Sequence, residues 1–210
     1  MFNEEEDSMS DLDIWNSDTR SKVEQSDFKK SVVTFYGRKG FWFGKQIKCM
    51  ITNEWYLFTK VCASHIWKWS ERGRHLIRFG LEPADRDSPR NGLLLVKHIG
   101  EQFDNKNVCF LFNPLDSSAR AICKVLNPAL LNEPIKESNS LKFCDIDGKT
   151  LQHKTGKNPF RRILNFHAKC SYKNALSKGW ITQDVYNQFT DFDKLSADAI
   201  DPLQIYHYKH

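Results

Sequence analysis

Two runs decide the fold of this chain: Cys62-Ala63-Ser64-His65-Ile66-Trp67-Lys68-Trp69-Ser70, and Ser88-Pro89-Arg90-Asn91-Gly92-Leu93-Leu94-Leu95, which continues to Phe103-Asp104. The first completes an apolar, β-branched stretch from Phe58 to Ala63 that predicts a short strand, as does Ile47 to Thr52 upstream. The second opens on turn residues and passes into the apolar run Leu93 to Val96. From there Val96, Ile99 and Phe103 recur at the spacing of one helix face. A charge-rich loop, Ser70 to Arg90, separates the two runs. Val108 to Phe112 predicts a further strand, closed by Asn113-Pro114.

On the N-terminal side, Ser31 to Tyr36 reads either as a strand or as the end of a helix begun at Asp27. Residues 1–27 carry nine acids against Arg20 and Lys22, a net charge of −7. So polar a segment buries too little surface to offset its ordering entropy, and a disordered acidic tail is expected there. On the C-terminal side, Asn158-Pro159 supplies a cap and a first-turn proline. Phe160, Ile163, Leu164, His167, Ala168 and Tyr172 follow at helical spacing, and Lys178-Gly179 ends the helix. A shorter helix is expected from Gln183 to Phe189 after a Thr182 cap. His167 lies on the apolar face and reads as a core histidine.

The expected fold class is therefore α+β, with domain limits at 1–27 (tail), 28–115 (core) and 116–210 (a mainly helical C-terminal extension). No run of 18 apolar residues is present, and the start Met1-Phe2-Asn3-Glu4 lacks the basic, apolar pattern of a signal peptide. The expectation is an intracellular protein, cytoplasmic or nuclear. Six cysteines without any C-x-x-C pair exclude a zinc ribbon by spacing and are expected to be reduced thiols.

Formal net charge is +5, so the chain beyond residue 27 carries +12. Residues 28–80 hold eleven Lys and Arg against Glu54 and Glu71, interleaved with twelve aromatics. Basic residues mixed with aromatics form the footprint of a polyanion binder. Lys68, Arg72, Arg74 and Arg90 are the candidate nucleic-acid contacts. Trp67 and Trp69, flanking Lys68, read either as base-stacking residues or as core.

Taken together, Cys49-Met50-Ile51-Thr52, Ala63-Ser64-His65-Ile66, Arg90-Asn91-Gly92-Leu93-Leu94-Leu95 and Phe103-Asp104 resemble an HNH (ββα-metal) endonuclease domain over about residues 47–112. The variant resembled reads A-x-H-I, R-N-G-L-L-L, F-D and is seen in restriction-type and fungal proteins. The resemblance implies a hairpin and helix that grip one phosphodiester. His65 would be the general base, an imidazole being competent near neutral pH. Asn91 would tie the loop so that base and helix face each other. A divalent ion, Mg²⁺ by the family's habit, would neutralise charge on the phosphate. The partner would be nucleic acid, double-stranded DNA in the first instance, and the activity metal-dependent hydrolysis of its phosphodiesters.

The sequence departs from the family at the ion. The helix ligand position, nine residues after Asn91, is Gly100, and the position before the base is Ser64. His98 and Glu101 are the nearest substitutes and are taken as the metal candidates. Residue 98 points about 200° away from residue 100 on a helix, and residue 101 about 100°. Asp104 reads as a helix brace rather than a ligand. A histidine restored at position 100 is expected to fit with little loss of stability. Two alternatives stay open: an HNH-fold nucleic-acid-binding module that has lost its ion, and a protein-interaction or effector domain with a basic surface.

Overall fold

The computed structural model describes residues 21–40, 46–112 and 120–188. Expectations for residues 1–20, the tail's greater part, lie outside them. Helix α1 (Lys22–Tyr36) begins at Ser21, whose hydroxyl accepts from the Glu24 amide while the Glu24 carboxylate accepts from the Ser21 amide. This reciprocal cap satisfies two orphan donors, so residues 22–27, expected to lie in the disordered tail, are helical. Gly37 ends the helix in the left-handed conformation.

Strand β1 (Gln46–Lys48) pairs antiparallel with β2 (Trp55–Leu57). Strand β3 (Val61–His65) pairs antiparallel with β4 (Gly92–Val96), Val61 opposite Val96 and His65 opposite Gly92. Helix α2 (Lys97–Asp104) follows β4 directly. The hairpin followed by a helix that the family resemblance implies is thus present, although Phe58–Lys60, expected to begin the strand, form a 3₁₀ turn and the strand starts at Val61. The long loop between β3 and β4 is built from short 3₁₀ turns. Strand β5 (Val108–Phe112) pairs with β6 (Ala121–Val125), so the limit expected at residue 115 falls within a hairpin. Helix α3 (Arg161–Ser177) packs on β5, and residues 183–188 are again helical. Helices and three two-stranded antiparallel ladders among the described residues make the class α+β.

β4 is buried along its whole length because it is covered from both sides. Phe28 and Val32 of α1 lie over Gly92 so closely that a Cβ there would be 2.9 Å from Phe28 and 2.7 Å from Val32. Glycine in the Asn-Gly-Leu-Leu-Leu run therefore serves close helix approach. Met50, fully buried, donates its amide to the Leu94 carbonyl and accepts from the Gln152 amide. This fastens the Cys49 to Thr52 segment to β4. Each buried leucine of β4 contributes about 1.5–3 kcal/mol through removal from water. A second, smaller cluster of Cys109, Leu126, Ala168, Tyr172 and Ala175 joins β5 to α3.

α3 starts two residues later than Asn158-Pro159 suggests. The Phe160 amide bonds the Arg90 carbonyl at 3.1 Å and holds Phe160 extended, as the cap residue. His167 is buried, stacked on Phe103 at 3.8 Å, with Nε2 against the Phe103 carbonyl. Burial holds it neutral by lowering its pKa to about 3. All six cysteines are free thiols. No described helix is long and apolar enough to cross a membrane.

Candidate nucleic-acid interface

Asn91 organises the site. It is fully buried, its Oδ1 accepts from the Trp67 amide at 2.7 Å, and its Nδ2 donates to the carbonyls of Trp67 (3.0 Å) and Arg86 (2.8 Å). Its own carbonyl accepts from the Ile66 amide at 2.9 Å. Both ends of the long loop are thereby held beside the end of β3, where His65 sits.

Alternation along β3 sends its side chains to two faces. Val61, Ala63 and His65 share the face toward α1. The His65 ring, half-buried, stacks on Phe28 with centroids 3.9 Å apart and an interplanar angle of 12°. Cys62 and Ser64 take the other face, toward α2. There they meet Gly100: a Cβ at position 100 would lie 2.4 Å from Cys62 Sγ and 2.8 Å from Ser64 Oγ. The two positions at which the family resemblance puts ligands therefore face each other, and both carry residues that cannot hold an ion together. The Cys62 thiol fills the space between strand and helix. Burial pushes it up to about 11, so it is protonated at neutral pH. The expectation that histidine at 100 would fit with little loss of stability meets an obstacle, because any Cβ there presses on the Cys62 thiol and the Ser64 hydroxyl.

His98 lies elsewhere. It is buried, its Nδ1 accepts from the Lys136 amide at 3.3 Å, and its Nε2 lies 3.3 Å from a Glu133 carboxylate oxygen. Its ring meets Phe143 edge-on at 5.1 Å. With Nδ1 accepting, the proton belongs on Nε2, and neither nitrogen has a lone pair left for an ion. His98 therefore docks α2 against the 131–143 segment. Glu101 is exposed, one position round from Gly100.

Two groups stood outside the candidate site residues, one of them Asp104, read from the sequence as a helix brace. Asp104 lies one turn beyond Gly100 on the same helix face. Its carboxyl is pushed up to about 6 by the surrounding protein mass, while Lys68 opposes the shift and Glu101 adds to it. Asp104, the last residue of α2, is nonetheless exposed and lies outside the core. Lys68, half-buried, is lowered by desolvation and pulled back by Asp104 and Glu71. The Phe103-Asp104 motif was the available signal for this carboxylate. Lys29 of α1 is the second. It is buried, donates Nζ to the carbonyls of Phe58 and Val61, and lies 3.7 Å from the Phe58 ring centroid. Burial lowers it to about 8. A lysine on a mixed helix gives no sequence sign of that position.

Of the basic candidates, Arg72 and Arg74 are exposed in the loop after β3. The loop is anchored between them, since Gly73 is left-handed and its Cα approaches Pro83 so closely that a Cβ would meet the Pro83 carbonyl at 2.4 Å. Arg90 has a different task. Its Nε donates to the Asn158 carbonyl at 3.1 Å and its guanidinium lies over Phe160 at 4.5 Å, joining the loop to the start of α3. Trp67 is buried against Phe79 and Phe166, which removes it as a stacking surface. The Trp69 side chain lies outside the described residues.

A hairpin whose first strand ends in histidine, a loop closed by a buried asparagine and a helix on the opposite face together define a ββα unit. Residues 49–111 match the family model described as HNH endonuclease, so this segment is an HNH domain. That family points to a nuclease or nucleic-acid-related function. No curated protein and no solved structure matches the chain. The family's divalent ion does not fit the residues present: the facing positions are Ser64 and Gly100, and His98 is turned away. Among the described residues no three His, Cys, Asp or Glu side chains converge as a ligand set.

Proposed function

We propose that this chain binds nucleic acid through an HNH fold whose cleavage centre has lost its ion-holding residues. One observation carries the reading: Gly100, Cys62 and Ser64 close-pack where strand and helix would otherwise grip an ion. The exposed Arg72 and Arg74, with Arg78 beyond them, would meet phosphates and so position a duplex without specifying its sequence. The test pairs two measurements on the full chain. Fluorescence anisotropy with a labelled duplex should show binding that weakens steeply with salt. A supercoiled-plasmid assay should show no nicking across a series of Mg²⁺ and Mn²⁺ concentrations. Nicking that depends on metal and disappears in His65→Ala would overturn the reading.

A second reading has one observation in its favour. Glu101 and Asp104 stand three residues apart on α2, within reach of each other, and their charges interact. Two carboxylates could then present a hard cation to a phosphate, with His65 as the base of a metal-dependent DNA endonuclease. The same plasmid assay with Glu101→Ala and Asp104→Ala separates the two readings.

A further inference from the structure

We infer that the open face of the β1–β2 ladder is a stacking platform for an unpaired base of single-stranded DNA, centred on Trp55. This rests on the nucleic-acid-binding reading and adds to it a second site with a different ligand from the duplex.

The ladder sets the platform. Alternation puts Ile47 and Tyr56 on one face, both buried, and Gln46, Lys48, Trp55 and Leu57 on the other. Residues 38–40 flank β1: Lys39 bridges Ile47, and the Gly40 amide donates to the Gln46 carbonyl at 3.1 Å. Trp55 and Leu57 are 47% and 53% exposed, two large apolar side chains on a solvent face that antiparallel ladders ordinarily fill with polar groups. The indole reaches across β1 to Gly40, where a Cβ would lie 3.4 Å from its six-membered ring. A ring that reaches past β1 lies along the sheet and turns one of its faces outward. The platform is also fixed before any ligand arrives. The Arg38 guanidinium donates to the Cys49 carbonyl at 2.8 Å and to Asn53 Oδ1 at 3.0 Å, and Met50 ties the same segment to β4. Binding therefore costs little ordering.

Charge selects the occupant. The Lys48 ammonium stands 5.6 Å from the Trp55 ring centroid, near enough to meet the phosphate of a base stacked there. Lys60, exposed, follows β2 by three residues. No carboxylate lies on this face among the described residues. Glu54, the acid beside Trp55, belongs to the opposite face, where its carboxylate accepts from the Tyr56 hydroxyl at 2.6 Å. An open aromatic ring with cations around it suits a ligand that is planar and anionic at once, as a nucleotide is and an apolar protein side chain is not. Bases within a duplex are already stacked on both faces, so the ligand is a single strand. Apart from cations the face offers only Gln46 to a 2′-hydroxyl, which assigns the strand to DNA.

The experiment measures anisotropy of the full chain with a labelled oligothymidylate of about 12 nucleotides, an oligouridylate of the same length and a duplex, over a series of salt concentrations. Trp55→Ala should weaken oligothymidylate binding about tenfold and leave duplex affinity within about twofold. Trp55→Phe, which keeps a ring, should return to within about threefold of wild type. Lys48→Gln should reduce the slope of log affinity against log salt for the single strand by about 0.7. If wild type binds duplex but not oligothymidylate, or if Trp55→Ala leaves oligothymidylate affinity unchanged or lowers both ligands alike, this inference fails while the nucleic-acid reading stands. Tighter binding of oligouridylate than of oligothymidylate would overturn the assignment to DNA. A change in the sedimentation coefficient of the chain alone on Trp55→Ala would place Trp55 in a protein contact and sink the platform. If wild type binds neither single strand nor duplex, both readings fail.

Discussion

Replacing Gly100 with alanine sets two magnitudes against each other. In a helix interior alanine is better than glycine by about 1 kcal/mol, so local propensity alone makes Gly100→Ala stabilising. Packing opposes this, because the new methyl would lie 2.4 Å from Cys62 Sγ and 2.8 Å from Ser64 Oγ. Ser64 can rotate its hydroxyl away. Cys62 is less free: it sits on a strand paired residue by residue with β4, and its thiol reaches the Leu95 carbonyl at 3.4 Å. Overpacking of this kind costs about 1–3 kcal/mol, and so short a contact belongs at the upper end. Gly100→Ala should therefore destabilise by about 1–2 kcal/mol in urea titration. Gly100→His, with more volume and the same obstruction, should lose about 3 kcal/mol or more. Adding Cys62→Ala removes the first obstacle, so the double variant should recover about 1–2 kcal/mol of coupling in a double-mutant cycle. Gly100→Ala more stable than wild type by about 1 kcal/mol, or additive with Cys62→Ala, would refute the close packing.

Three further outcomes follow from other contacts. Asn91→Ala should cost about 3 kcal/mol in urea denaturation, since it leaves the Trp67 amide and the Trp67 and Arg86 carbonyls without their partner; a loss under 1 kcal/mol would show the loop is held by other means. Gly92→Ala should cost about 1–3 kcal/mol by pressing on Phe28 and Val32, and a Val32→Ala background should relieve part of it. His167 has a folded pKa near 3 against 6.5 in the unfolded chain, so the unfolded state binds the extra proton between those values. Its contribution to stability is full above pH 6.5 and falls as pH drops toward 3. The difference in stability between wild type and His167→Phe should shift against wild type over that window, and a constant difference would place the histidine in water.

Much of the fold was legible because its signals are local. The leucine run, the Val96, Ile99 and Phe103 spacing and the Asn91-Gly92 pair lie within 17 residues of chain, from Ser88 to Asp104, and define β4, its entry and α2. β2 and β6 escaped notice because Trp55–Leu57 is only three residues long and Ala121–Val125 lacks a clean alternation. Site chemistry was legible in identity and illegible in volume. Sequence shows that position 100 has no ligand; only the packing shows that a thiol from β3 has taken the space. His98 looked like a substitute ligand by helix geometry, yet Glu133 and Lys136, more than 30 residues further on, take both of its nitrogens. Arg90 read as a nucleic-acid contact, yet the Asn158 carbonyl, 68 residues further on, holds its guanidinium.

Loss of the ion-holding set is tested most directly by counting ions. Adding the full chain to a dilute Mn²⁺ solution and reading the free ion by its electron paramagnetic resonance signal requires neither substrate nor turnover. The account predicts that the free Mn²⁺ signal stays unchanged as protein is added to excess in the absence of nucleic acid, which would itself bind the ion. Stoichiometric loss of the signal, one ion per chain and abolished by Glu101→Ala or Asp104→Ala, would contradict it and establish the metal-dependent reading in its place.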